Sequence, residues 1–411
     1  MRKRSRQPRV AVVRHDRFPG EPHLRRNVHA LRDAGFAVDV ICDRDPNLPC
    51  YERHDGVTVL RLLFGHKRHS IARYLFEYAT VPLLASALVA ARSVWRPYRY
   101  VEVDNPPDWL VLAGLLPRLQ GARVVLYMFE NMPETAVLDY GLCRDHLLVR
   151  ALVTIQRICA SLAHCLIAPH ELGRAILMRQ GIAPHKIAAV VPNVPDPRIF
   201  LSRVAGSKTQ IAAGTPPSCE AEPGSGAGRF RLVTHGTLLK RYGIQTLLEA
   251  MAHLGERIPD VHLDVIGDGE YRAELERLAA SLDLGDVVTF TGRIPFDQLA
   301  PRLLQADVGV VPMWADYFFP NKLTEYLALG LPVIITDCPA VRRYFDDSAV
   351  YYVAAKSPEA LAEAILDLYR NPARRASLAA MGHTAYREQV SWDRTKRDYL
   401  AVYGVQASPI C

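Results

Sequence analysis

The segment Pro320-Asn321-Lys322-Leu323-Thr324-Glu325 sets a lysine and a glutamate one helical turn apart. An apolar run from Val308 to Met313 precedes it and a second, Val333 to Thr336, follows it. The order predicts strand, loop, short helix, strand. A helix N-terminus presents backbone N–H groups and the positive end of the macrodipole, which suits a phosphate. Lys322 adds a mobile cation. Glu325 is an acceptor suited to a ribose diol. On its own such a glutamate is ordinary, because the dipole favours acids in any first turn. With Lys322 beside it, the pair is what a nucleotide diphosphate requires, and a nucleotide-sugar site is the leading reading.

Other residues are weighed against blander roles. Lys240 and Arg241, in a turn after the predicted strand Phe230 to His235, offer two more cations to a diphosphate, with a solvated turn as the alternative. The turn Gly267-Asp268-Gly269 reads as structural, since GxG is common between strand and helix. Asp104 and Asp108 frame Pro106-Pro107 at a predicted strand end. They are two carboxylates able to receive an acceptor hydroxyl, or the flanks of a proline-fixed turn, and both readings stay open. Glu130 and Glu134 lie in a polar loop at an equivalent edge, Glu134 being placed to cap the next helix. No Asp-x-Asp pair closes a strand, and lysine and arginine already serve the diphosphate. No metal and no cofactor are expected.

These residues need strands and helices to carry them. In the first half, apolar strands at 10–13, 37–42, 57–62, 100–103, 124–128, 165–168 and 188–191 alternate with helices, among them 24–33, 71–95 and 109–119. Residues 205–228 change character: Gly, Ala, Ser, Pro and Thr without period, a flexible linker or insertion. Alternation then resumes with strands at 230–235, 261–266, 287–291, 308–312 and 333–336, and helices at 358–369, 372–386 and 392–403. The expected fold class is α/β, two doubly wound parallel sheets. The expected division is 1–204, linker 205–228, 229–390, and a C-terminal helix and tail at 391–411 packing back on the first domain. Ligands of such sheets sit outside the carboxyl ends of the strands, so two facing domains would hold one in a cleft.

A chain of 411 residues is long for one core, which also favours two domains. A charged fraction of 23% and a hydrophobic fraction of 49% exclude a disordered chain. The net charge of +7 is uneven: Arg2, Lys3, Arg4, Arg6 and Arg9 crowd the start, and His66, Lys67, Arg68, His69 and Arg73 form a second group. Such clusters read first as a solvated tail and a solvated loop, with an anionic membrane surface as the alternative. No aromatic–basic interleaving accompanies them, so nucleic acid is not a partner. The apolar stretch from Ala79 to Val94 is interrupted by Arg92 and short of the ~20 residues a span requires. It is read as a buried helix, and peripheral membrane association is favoured over a span. The eight cysteines form no CxxC pair and no zinc spacing. With no secretory signal recognised, the expected setting is the cytoplasm, on or near the inner membrane face.

The runs HGTLLKRYGIQTLLEAMAHL, LDVIGDGEYRAELERLAASLDL, VTFTGRIPFDQLAPRLLQADVGVVPM and KLTEYLALGLPVIITD follow the order and spacing of glycosyltransferase family 4, which the chain resembles. LIAPHELGRAILMRQGIAPHKIAAVVPNV resembles the family's segment leading to the hinge, and ENMPET a loop of O-antigen and capsule members. The resemblance implies a GT-B fold and a retaining glycosyltransferase with a UDP- or GDP-sugar donor. It also implies a lipid-linked or cell-surface glycan acceptor. Carried over by position, it gives Glu325 the ribose hydroxyls and Asn321, Lys322 and Leu323 the diphosphate turn. Gly236 and Thr237 match the turn after the domain's first strand, Lys240 and Arg241 lie near the diphosphate, and Arg293 and Ile294 flank the base. Two departures stand out. Tyr317 occupies the place of the first glutamate of the family's E-x7-E motif, with Asp316 as neighbour. The first domain has Asp16-Arg17-Phe18-Pro19-Gly20 and then Arg25 and Arg26 in place of a Gly-Gly turn, which makes Gly20 and Arg25 acceptor-side candidates. The histidine expected after the fourth strand is replaced by Phe129 and Glu130. The alternatives are a non-hydrolysing sugar-nucleotide epimerase and a non-catalytic partner subunit.

Overall fold

The structure is a computed structural model that describes residues 7–63, 71–204, 229–255 and 257–405. The basic group at Arg2 to Arg6, the group at His66 to His69, the linker 205–228, Cys219, and the tail 406–411 with Cys411 lie outside the described residues. The chain forms two compact units, 1–192 with 395–411, and 193–394.

The first unit carries an eight-stranded sheet. Its strands are β1 (Arg9–Arg14), β2 (Ala37–Cys42), β3 (Tyr51–His54), β4 (Val57–Arg61), β5 (Tyr100–Asp104), β6 (Arg123–Tyr127), β7 (Cys165–Ala168) and β8 (Ile187–Val190). Their order is β3-β4-β2-β1-β5-β6-β7-β8. All neighbours are parallel except β3 against β4. Parallel central strands are covered on both faces, and β5 accordingly is buried at every position. The order reverses between β1 and β5, where Arg14 lies in register with Asp104.

The helices of this unit are α1 (Pro22–Asp33), α2 (Ile71–Trp95), α3 (Leu115–Leu119, continuing a 3-10 turn at Asp108–Gly114), α4 (Met132–Tyr140), α5 (Leu147–Leu162) and α6 (Glu171–Arg179). Val81, Ala85 and Val89 of α2, Leu110 and Val111 of the 3-10 turn, and Cys159 and Ala160 of α5 share one core with Val13, Val101, Val103, Val124 and Leu126 of the sheet. These helices therefore form one layer on one sheet face. The strand β3 and the helices α5 and α6 lie beyond the alternation read from sequence. The expected polar loop at Glu130 to Glu134 is corrected: α4 starts at Met132, because the Asn131 side chain accepts from the Glu134 amide and caps it. The C-terminal helix, Trp392–Ala401, supplies Tyr399, whose hydroxyl donates to Glu102 of β5 at 2.8 Å.

The second unit is a six-stranded parallel sheet of β9 (Phe230–His235), β10 (Val261–Ile266), β11 (Val288–Gly292), β12 (Val308–Val311), β13 (Val333–Thr336) and β14 (Tyr351–Val353), in the order β11-β10-β9-β12-β13-β14. Here the order reverses between β9 and β12. The Ile244–Leu254 helix and the Pro358–Arg370 helix contribute Leu247, Leu248, Met251, Leu361 and Ile365 to its core. The described cysteines are free thiols.

Candidate functional site

The chemistry-bearing residues of the second unit gather at the carboxyl ends of β9 and β12, its topological switch point, where open sheets bind ligands. Strand β9 ends in His235 and leads to Gly236; β12 leads through a loop to the Asn321–Ala328 helix. That helix begins after Pro320 and no side chain caps it. Its first turn holds Lys322, and Glu325 follows one turn on. A β-carbon built on Gly236 would lie 3.8 Å from Lys322 Nζ, so the glycine turn and the lysine tip are neighbours. Gly236 itself has a φ of 119°, a conformation that favours glycine. Lys322 Nζ stands 5.3 Å from the centre of the Tyr242 ring.

Lys322 is buried. Burial pushes its ammonium down to about 8, and the charge of Glu325 opposes that shift. The lysine remains protonated at neutral pH with little water around it. A ligand anion would restore the pairing that burial denies it. Glu325 is buried as well, with its Oε2 2.9 Å from His235 Nε2. The histidine was not anticipated. Its signal is a histidine closing the strand, directly before Gly236.

The remaining donor-side candidates fall at the same sheet end with different exposure. Lys240 and Arg241 occupy a 3-10 turn, Lys240 exposed and Arg241 half-buried. The Arg241 guanidinium carbon lies 5.5 Å from the Phe318 ring centre, and its carbonyl accepts from the Trp314 amide at 2.9 Å, tying this turn to the loop after β12. Thr237 is exposed. Arg293, exposed, and Ile294, half-buried, follow the edge strand β11. Asn321 is half-buried, whereas Leu323 is fully buried, so only its backbone can reach a ligand. Asp316 is exposed; Tyr317 is buried with its ring 4.2 Å from that of Phe318. Gly267 is the point of closest backbone approach among these loops: its φ is +143°, its amide donates to the Gly292 carbonyl at 2.9 Å, and a β-carbon there would sit 1.9 Å from the Gly236 carbonyl oxygen.

In the first unit the sequence candidates separate. Asp104 closes β5 at that sheet's own switch point. Its Oδ2 is 3.5 Å from Arg14 Nη1, and Arg14 Nη2 is 4.0 Å from Glu21 Oε1. The Arg14 guanidinium carbon lies over Phe129, 3.9 Å from the ring centre, and Phe129 stacks on Tyr127 at 4.1 Å. Burial raises Asp104 to about 7, against the attraction of Arg14 and with the repulsion of Glu21. Glu102, two residues back on the same strand face, is raised well above the carboxylate range by burial and by Asp104. Asp108 is raised by burial to about 6, opposed by its hydrogen bond from Asn105.

Asp104 and Asp108, read from sequence either as an acceptor-side pair or as the flanks of a proline-fixed turn, are both buried, and Asp108 is engaged structurally. Asn105 Nδ2 donates to Asp108 at 2.7 Å and to the Glu130 carbonyl at 2.7 Å, while the Glu130 amide donates to Asn105 Oδ1 at 3.1 Å. Glu130 thus joins them through its backbone. Glu134 pairs with Arg144 at 2.9 Å and Arg25 with Asp55 at 3.9 Å, apart from the Asp104 group. Gly20 is exposed in the loop before α1. Arg14, Glu21 and Asn105 are the additions that sequence reasoning missed; a lone arginine closing an apolar strand was the available clue.

Two parallel-sheet domains with an anion-suited switch-point site define a protein of the GT-B class. Two family models match: glycosyl transferase 4-like domain over residues 20–193 and glycosyl transferases group 1 over residues 229–371. The chain belongs to the GT-B glycosyltransferases of family-4 type. It is 29% identical over 171 residues to the phosphatidyl-myo-inositol mannosyltransferase of Mycobacterium tuberculosis, a match covering 40% of this chain and 43% of that protein, less than half its length. It is 27% identical over 260 residues to the GDP-mannose-dependent alpha-(1-6)-phosphatidylinositol monomannoside mannosyltransferase of Mycolicibacterium smegmatis, covering 56% and 67%. Sucrose-phosphate synthase from Thermosynechococcus elongatus shares the fold, with a TM-score of 0.76 over 97% of this chain and 98% of that one at 21% identity.

Proposed function

We propose that this protein transfers a sugar from a UDP- or GDP-sugar to a hydroxyl of a lipid-linked or cell-surface glycan precursor, with retention at the anomeric carbon. The observation that carries the reading is the buried Lys322 at the Gly236 turn, with Glu325 and His235 beside it at the switch point. In the reaction the bond from the anomeric carbon to the diphosphate breaks as the acceptor oxygen bonds to that carbon on the same face. The acceptor proton leaves with the diphosphate. Lys322, the first turn of the Asn321–Ala328 helix, and Lys240 and Arg241 neutralise the departing charge, a stabilisation that grows as the bond breaks. Glu325 takes the ribose hydroxyls, and neither a metal nor a cofactor is needed in this scheme.

Two relatives bear names that specify phosphatidylinositol-linked acceptors, and one of these names specifies GDP-mannose. Both belong in the first panel tried. We place the protein in the cytoplasm with a peripheral contact on an anionic membrane. The test is nucleotide release from a panel of UDP- and GDP-sugars with an acceptor lipid extract. Release that is lost in Lys322→Ala and Glu325→Ala supports transfer. A panel in which nothing turns over, while the protein stabilises a second transferase, points instead to a non-catalytic partner. That second reading draws on one observation: the place of the first motif glutamate holds the buried Tyr317.

A further inference from the structure

The layer formed by α2, α3 and α5 buries its inner side against the first sheet, yet its outer side carries apolar side chains too, continuously on α2 and among arginines on α3 and α5. On α2, Phe76, Ala79, Leu83, Ala87, Ala91 and Val94 recur at helical spacing and are all exposed. Leu83 is 66% exposed, Trp95 at the end of the helix 87%, Leu119 on α3 85%, and Ile158 on α5 56%. The three helices adjoin: α2 packs on α3, and Arg118 of α3 donates to the Leu162 carbonyl at the end of α5. Single exposed apolar residues are normal, but a run of them across adjacent helices marks an interaction surface.

The charges on this layer have one sign. From residue 76 onward the three helices and the 3-10 turn contain two acids, Glu77 and Asp108, and both are buried. Their cations, Arg92, Arg118, Arg150 and Arg157, all retain exposure, and Arg96, Arg99 and Arg123 follow at the helix and strand edges. The asymmetry extends to the whole unit, which has 29 Lys+Arg against 18 Asp+Glu, whereas the second unit has 21 against 25.

We propose that the outer side of α2, α3 and α5 is the face by which this protein docks on an anionic lipid surface. Apolar side chains with a rim of arginines match the boundary between acyl chains and negative headgroups. A second copy of the chain is a poor occupant, because a two-fold interface would set arginine against arginine with no exposed acid to pair them. A span by α2 is a poor alternative as well. Its length and composition from Phe76 to Trp95 would allow one, but Val81, Ala85 and Val89 are locked in the sheet core. Docking by this face deepens the peripheral contact proposed above and rests on it.

The experiment is flotation of the full chain with phosphatidylcholine vesicles, with and without phosphatidylglycerol. Four proteins are compared: wild type, Leu83→Glu with Leu119→Glu, Arg150→Glu with Arg157→Glu, and Met381→Glu as an exposed apolar control in the second unit. Wild type and Met381→Glu should bind the anionic vesicles about tenfold more tightly than the neutral ones, and each double variant should lose about tenfold on the anionic vesicles. Unchanged melting temperatures establish that the variants fold. The proposal is overturned if the double variants bind as wild type does, if wild type binds neither vesicle, or if it binds both alike. A wild-type dimer in lipid-free solution that Leu83→Glu with Leu119→Glu disperses would also overturn it. Nucleotide-induced stabilisation is measured in parallel without lipid. If vesicles bind as expected and no nucleotide stabilises the protein, the transferase reading fails and the docking face stands.

Discussion

Lys322 and Asp104 are two buried ionisable groups whose environments push them in opposite directions from their usual ranges. Lys322 is pulled from 10.5 to about 8, so the cost of its buried charge is fully present below pH 8 and is relieved as pH rises toward 10.5. Lys322→Met should therefore stabilise the nucleotide-free protein at pH 7, by up to about 3 kcal/mol, while weakening nucleoside diphosphate binding about 100-fold. Paired denaturation and calorimetry check both signs, and wild-type affinity should fall as pH passes 8. Asp104 is raised from 3.8 to about 7. A raised carboxyl favours the folded state below the unfolded value and loses that contribution as pH rises through the folded one. The stability of Asp104→Asn relative to wild type should improve between pH 4 and pH 8. Denaturant midpoints at the two ends of that window measure it.

The strands and helices that position these groups were partly legible in sequence. Strands β2, β7, β9, β10 and β13 and helix α2 have the bounds expected for them, because each is a segment rich in apolar residues set between turn residues. Helix α5 was passed over, although it is amphipathic: Val149, Cys159 and Ala160 are buried while Arg150, Thr154, Arg157 and Ser161 are exposed. The Lys322–Glu325 half of the site was readable because its residues are local. The His235–Glu325 and Asp104–Arg14 contacts join residues far apart in sequence, and only the strand order brings them together. Gly267 tests how tightly the strand ends are built. Gly267→Ala should cost about 2 kcal/mol or more, from a positive φ and a collision with the Gly236 carbonyl. Gly255→Ala, where a β-carbon meets nothing within 4 Å, should be nearly neutral by thermal melting. The C-terminal helix has its own test. Tyr399→Phe removes the hydroxyl that satisfies buried Glu102 and should lower stability by about 1–3 kcal/mol.

At the scale of the whole molecule, two doubly wound units divide both charge and chemistry. The second unit bears the Lys322–Glu325 site and a slight acidic excess; the first bears the basic excess and the apolar helical layer. One measurement tests the central claim most directly: transfer of radiolabelled sugar from UDP- and GDP-sugars to an extracted lipid acceptor, with the anomeric configuration of the product read by NMR. The account predicts labelled lipid from at least one donor, with the donor's own configuration and with loss of transfer in Lys322→Ala and Glu325→Ala. Labelled product formed equally well by both variants, or with the opposite configuration, would contradict it.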